Sequence, residues 1–254
     1  MKARATLAGH YGLSMTPPVL VEEVELADQP SAFLVRPATA VSSHPAVLWL
    51  HWLGHNRSDR TQFLPEAVRL AQEGVVSLLP QGVFPWLERP QGDAADLDAV
   101  TAQARRTRAA FDHLHAHALV DPERVAVVGH DYGAMFALTL REVPVRAMVV
   151  AAPDATWDHW FTTYWLGDTD LDRHYSDQFV EFDPLAGAAV HQDRLLFQWA
   201  EKDEYFEPVV RVLYAAAAPR AAVSVHEGYD HQLGDRAIAE RFTFLEEALL
   251  TQRP

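Results

Sequence analysis

Arg124-Val-Ala-Val-Val-Gly-His-Asp-Tyr-Gly-Ala-Met-Phe-Ala137 is the stretch on which the fold turns. Val125–Val128 is a short, continuously apolar run, as expected of a strand covered on both faces. The chain then passes through Gly129-His130-Asp131-Tyr132-Gly133 and enters a helix. Glycines two before and two after Asp131 are what a sharp strand-to-helix bend requires, because a side chain at either place would strike its neighbours. The bend lifts Asp131 above the C-terminal edge of the sheet, where open α/β sheets place their ligands. Backbone N–H groups and the positive end of the helix lie beneath it.

Similar apolar runs flank this one, separated by amphipathic stretches, and the alternation predicts a largely parallel sheet with helices on both sides. The predicted strands are Ala46–His51, Val75–Leu79, Val125–Val128, Arg146–Ala151, Leu195–Trp199 and Ala222–His226. Val19–Leu26 and Ala32–Arg36 read as a leading antiparallel edge pair. Phe63, Leu64, Ala67, Leu70 and Ala71 mark one helix, closed by Gly74. Leu97, Val100, Ala104, Phe111 and Leu114 mark a longer one. Pro208 suits the first turn of a third, and Asp235 is the expected cap of the last. About forty residues separate the strand ending near Ala152 from the one starting near Leu195, which exceeds a plain connection. Within them Trp157, Trp160, Phe161, Tyr164 and Trp165 recur at helical spacing, with Asp154 as the expected cap. This predicts an aromatic-faced helix and a less regular piece, an insertion over about 154–193 that would fold over a pocket as a small lid.

Composition narrows the function. The chain has 254 residues, 49% hydrophobic and 22% charged, which suits one folded domain spanning 1–254 rather than a disordered chain. Asp+Glu 35 against Lys+Arg 21 gives a net charge of -14, a poor basis for gripping nucleic acid or an anionic membrane. With Cys 0, disulfides, thiolate catalysis and Cys-ligated zinc are excluded. The N-terminal stretch lacks a continuous apolar core, and no run approaches the ~20 residues of a membrane span. These features lead us to expect a cytoplasmic protein with a small-molecule partner. The sequence fixes no oligomeric state, and a homodimer is compatible with it. His113 and His117 share a helix face, but no carboxylates complete a metal site, so no metal or other cofactor is expected.

The sequence resembles the α/β-hydrolase superfamily, with a frame similar to its dienelactone-hydrolase-like members. The resemblance covers roughly residues 45–250 and rests on three motifs in the family's order. The first is Leu50-His51-Trp52-Leu53-Gly54 after an early strand. The second is the bend at Asp131. The third is the pair Glu201-Lys202-Asp203-Glu204-Tyr205 and Gly228-Tyr229-Asp230-His231, each after a predicted strand. The resemblance implies an α/β-hydrolase fold and a triad of Asp131 as nucleophile, Asp203 as acid and His231 as base. It also implies an oxyanion hole from the N–H of Tyr132 and one from Trp52 or Leu53. Two positions depart from the pattern. Asp131 stands where serine or cysteine is usual, and Trp52 where glycine is usual. The dehalogenase and epoxide-hydrolase branches do carry an aspartate at the bend, but with a different early loop.

A carboxylate has an ordinary pKa of about 3.9 and is favoured as an anion by N–H donors, so Asp131 is expected to be charged at neutral pH. It can displace a leaving group from a tetrahedral carbon and form an alkyl ester, which water activated by His231 then cleaves. Alkyl halides and epoxides fit that path. With Asp131 as a general base, ester or lactone hydrolysis fits instead. A ligand-binding protein without catalysis is the reading from another class. His51, His130, Phe84, Trp86, Trp157, Trp160, Phe161 and Tyr164 are the candidate pocket residues.

Overall fold

The computed structural model describes residues 17–41, 43–53, 59–167 and 173–251. Gly54 and His55 of the early loop and residues 168–172 of the insertion lie outside the described residues.

The strands are β1 (Val19–Val24), β2 (Ala32–Pro37), β3 (His44–Leu50), β4 (Val76–Leu79), β5 (Val120–His130), β6 (Ala147–Ala151), β7 (Leu195–Ala200) and β8 (Ala222–His226). They form one sheet in the order β1-β2-β4-β3-β5-β6-β7-β8. β1 pairs with β2 and β2 with β4 in antiparallel fashion, and every pairing from β4 to β8 is parallel. The edge pair and the parallel core therefore fall where the apolar runs placed them. β5 begins earlier than its apolar core, because Val120 pairs with His44 before an irregularity restores register at Ala46 and Val125.

The helices are α1 (Leu64–Gln72), α2 (Ala95–His115), α3 (Tyr132–Leu138), α4 (Trp157–Phe161), α5 (Arg173–Asp177), α6 (Pro184–His191), α7 (Pro208–Ala217) and α8 (Asp235–Leu249). Alternate residues of the central strands face opposite layers. Val47, Trp49, Ala126, Val128, Ala147 and Val149 pack with α1 and α8. Leu48, Leu50, Val125, Val127, Met148 and Val150 pack with α2, α3 and the insertion. Central strands covered twice are why their sequences are continuously apolar.

Two predicted caps are corrected. Gly234 precedes α8 and Asp235 is its first residue, where the carboxylate still favours the helix dipole. Thr156, not Asp154, caps α4 by accepting from the His159 N–H. Asp154 is buried and turned to the Ala155 N–H and the His159 ring. The aromatic helix is also shorter than its spacing suggested. α4 ends at Phe161 and the chain continues as a π-helical turn over Thr162–Leu166. Trp157 packs on Phe136 and Phe161 on Phe84, so these two side chains belong to the core.

Candidate active site

The site is built on the bend between β5 and α3. Asp131 sits at φ 58, ψ -122, a conformation rare outside glycine. It is held by its N–H on the Ala151 carbonyl, 2.9 Å, and by its own carbonyl, which accepts from Ala134 and Met135. The two glycines are steric necessities. A Cβ on Gly129 would lie 2.4 Å from the Gly133 oxygen, and one on Gly133 would lie 2.1 Å from the Leu50 oxygen.

Asp131 is fully buried. Its Oδ2 accepts from the Leu53 N–H at 2.8 Å, while Oδ1 has no partner. Of the two early-loop donors, Leu53 is therefore the one aimed at the site. The Trp52 N–H donates instead to Gln62 Oε1, 2.7 Å. Burial pushes the Asp131 carboxyl up to about 7, against the His231 charge and the N–H groups of Leu53 and Tyr132, which pull it down. The donors alone would keep the carboxyl charged at neutral pH, as its sequence context predicts, but the loss of water prevails.

His231 comes from the loop between β8 and α8. Its Nδ1 lies 2.9 Å from Asp203 Oδ2 and 3.1 Å from Oδ1, and both side chains are buried. Asp203 holds that nitrogen, and His231 Nε2, on the opposite side of the ring, has no partner, like Asp131 Oδ1. Burial lowers the His231 pKa, but the Asp203 hydrogen bond and the charges of Asp131, Asp203 and Glu204 outweigh it, and the net direction is upward. The neighbouring acids have separate tasks. Glu201 accepts from the Gly228 N–H and Glu204 from the His231 N–H, and the Lys202 N–H donates to the Tyr229 carbonyl, so four consecutive residues after β7 grip the histidine loop.

Aromatic rings surround the imidazole. Tyr205 and Phe206 lie 5.0 and 5.4 Å from it, Trp160 6.0 Å and Trp52 6.2 Å, centroid to centroid. Tyr164, on the π-helical turn, stacks on Tyr205 at 5.1 Å. The Trp160 indole N–H is buried without an acceptor. Tyr132 donates its hydroxyl to the Trp160 carbonyl, which ties the bend to the insertion.

The other candidates lie behind this shell. His51 has both ring nitrogens engaged, Nδ1 with the Trp52 carbonyl and Nε2 with the Gly82 N–H. Burial drops its pKa to about 4. Trp86 donates its indole N–H to the Trp52 carbonyl. Phe84 and Trp157 are almost wholly enclosed. His130 is bonded through both nitrogens, to Gln62 and to the His231 carbonyl. Gln62, Tyr205 and Phe206 were not singled out as site residues in the sequence. The aromatic pair was legible in retrospect, since Tyr205 ends the Asp203 motif and Phe206 directly follows it. Nothing in the sequence pointed to Gln62. Among the described residues no group of three His, Asp or Glu side chains could hold a metal ion, and no helix is long and apolar enough to cross a membrane.

An eight-stranded, mostly parallel sheet between two helical layers, with this bend after β5, is the α/β-hydrolase fold. No family model matches the chain, and no curated protein matches it in sequence. Solved structures do match in shape. TT1662 from Thermus thermophilus aligns with TM-score 0.69 at 16% identity over 92% of this chain and 99% of its own. A candidate dienelactone hydrolase from Klebsiella pneumoniae aligns with TM-score 0.66 at 15% identity over 92% and 99%. An acetyl xylan esterase from Paenibacillus sp. R4 aligns with TM-score 0.64 at 19% identity over 97% and 89%.

Proposed function

We propose that the protein is a hydrolase that opens a small, largely apolar epoxide through a covalent ester on Asp131. One observation carries this reading: the Leu53 N–H already rests on Asp131 Oδ2. A donor placed there stabilises charge that develops on the aspartate's own carboxyl. It is poorly placed for the carbonyl of an external ester, whose oxyanion would have to displace Oδ2. This favours covalent catalysis over ester or lactone hydrolysis with Asp131 as a general base.

In the first step the unpartnered Oδ1 attacks an epoxide carbon and the ring C–O bond breaks. The electron pair stays on the ring oxygen, which takes a proton from Tyr164 or Tyr205. Both phenols lie within the field of the Asp131 charge. In the second step His231 Nε2 takes a proton from water, and the hydroxide adds to the Asp131 carboxyl carbon. The tetrahedral oxyanion forms on Oδ2, on the Leu53 and Tyr132 N–H groups. Asp203 stabilises the imidazolium. Collapse breaks the bond from that carbon to the ester oxygen and releases the diol, whose departing oxygen takes the carboxyl proton. Proton return from His231 to the tyrosinate resets the site.

The orphaned Trp160 N–H favours a second reading, an alkyl halide whose departing anion that donor receives. The two are separable. Tyr164→Phe with Tyr205→Phe should lower epoxide turnover about 10²–10⁴-fold and spare chloroalkanes, whereas Trp160→Phe should do the reverse. Absence of turnover by the unmodified protein across epoxides, haloalkanes and esters would leave a binding protein.

A further inference from the structure

We propose that Gln62 and His130 are positioning residues, a two-membered relay that fixes the distance between the oxyanion donor of Leu53 and the base His231. The inference rests on the catalytic reading of Asp131 and His231 above. Three contacts form the relay: Trp52 N–H to Gln62 Oε1 at 2.7 Å, Gln62 Nε2 to His130 Nδ1 at 2.8 Å, and His130 Nε2 to the His231 carbonyl at 3.0 Å.

The direction of every bond is forced. The His231 carbonyl only accepts, so His130 carries its proton on Nε2. Its Nδ1 is then bare and accepts, so Gln62 presents its amide N–H. The amide oxygen therefore faces the Trp52 N–H, which only donates. No other arrangement of protons satisfies all three contacts with a neutral ring. The relay starts on the residue beside Leu53, crosses to the segment before α1, passes through the bend, and ends on the backbone of the base. The rings reinforce it, with Trp52 stacked on His130 at 5.1 Å and His130 5.2 Å from His231.

The relay works only while His130 is neutral, since a second ring proton would face the Gln62 amide hydrogens. Its surroundings keep it so. Burial, the His231 charge and Arg241 from α8 all hold its pKa well below the ordinary value, against the bond to the His231 carbonyl. A proton entering this pair of imidazoles therefore resides on His231.

The relay can be tested without substrate. Histidine ¹⁵N and ¹³C spectra of the full chain should show His130 as the Nε2–H tautomer, still uncharged where an ordinary imidazole is already protonated. In Gln62→Glu the carboxylate still accepts from Trp52 but offers Nδ1 no hydrogen. His130 should then take up a proton, with a midpoint raised by at least about one unit. Kinetics with styrene oxide as probe supply the second arm. Gln62→Leu and His130→Leu should lower kcat about 10–100-fold with KM within about twofold. His130→Asn, which keeps one donor and one acceptor, should recover most of the loss. An Nδ1–H tautomer, a wild-type His130 that titrates near 6.5, or a Gln62→Glu protein in which it stays neutral would overturn the relay. A loss carried by KM would overturn its positioning role. If the unmodified protein turns over no substrate, the catalytic reading fails, and the spectra still decide whether the relay exists.

Discussion

Asp131 concentrates three costs in one residue: a left-handed backbone, burial, and an unpartnered carboxylate oxygen. Its folded pKa of about 7 lies above its ordinary 3.8. Such a group contributes stability that is complete below about pH 4 and is lost as pH rises through about 7. The folded protein therefore carries an ionisation penalty on the order of 4 kcal/mol at pH 8, less than half of that at pH 5, and little at pH 4. Asp131→Asn removes it. The variant should be inactive, yet melt about 5 °C or more above the parent at pH 8, with the gap falling to less than half at pH 5. Calorimetry at the two pH values checks this, and an unchanged gap would show that Asp131 is not the group responsible. Attack by Asp131 should in turn rise with pH through about 7, because only the anion is nucleophilic. The residue types at 131, 203 and 231 were legible in the sequence from three motifs in order. The protonation behaviour was not, because donors can be counted along a chain whereas exclusion of water depends on side chains brought from elsewhere.

At the scale of elements, the bend after β5 was the most legible feature, since Gly129 and Gly133 exclude most alternatives. Their roles predict a contrast between two substitutions. Gly133→Ala would drive a Cβ into the Leu50 backbone oxygen, and nothing rigid there can yield. It should cost more than about 3 kcal/mol or prevent folding. Gly228→Ala, at φ +82 with nothing within 4 Å, should cost only about 1–2 kcal/mol of backbone strain. Urea unfolding of the two variants checks the contrast, and equal losses would remove the steric argument. The insertion was less legible. Its aromatic spacing fitted one helix through Trp165, but α4 gives way to a π-helical turn that turns Tyr164 toward Tyr205 while Trp157 and Phe161 enter the core. Period alone cannot divide a stripe of rings between core and site. The Gln62 contacts span 10 and 68 residues of sequence, and no local pattern encodes them.

Across the whole molecule, the layers facing away from the insertion are joined by one buried cation. Arg241 of α8 donates twice to Glu66 of α1, each at 2.9 Å, and once to Gln198 of β7 at 2.6 Å. Both members of the pair are nearly enclosed, with side chains 5% and 10% exposed. Removing one partner leaves the other buried and uncompensated, whereas replacing both with apolar side chains removes both desolvation costs. Arg241→Met should therefore cost about 3–5 kcal/mol, and Glu66→Met with Arg241→Met should recover about half or more. Denaturant unfolding of the two single variants and the double variant checks this, and simple additivity would show that the pair does not act as a unit. The overall architecture was legible because each central strand reads as apolar throughout and each helix as apolar on one side. The Glu66–Arg241 link was not, as its partners lie 175 residues apart.

The central claim is that the Asp131 carboxyl is itself alkylated and then hydrolysed. The direct measurement is a single turnover in oxygen-18 water with enzyme in excess over styrene oxide, followed by mass analysis of the peptide that carries Asp131. The account predicts one heavy oxygen in the Asp131 side chain and none in the first diol released. Heavy oxygen in the diol with an unlabelled Asp131 would contradict it, and would make Asp131 a base that activates water rather than the group that attacks.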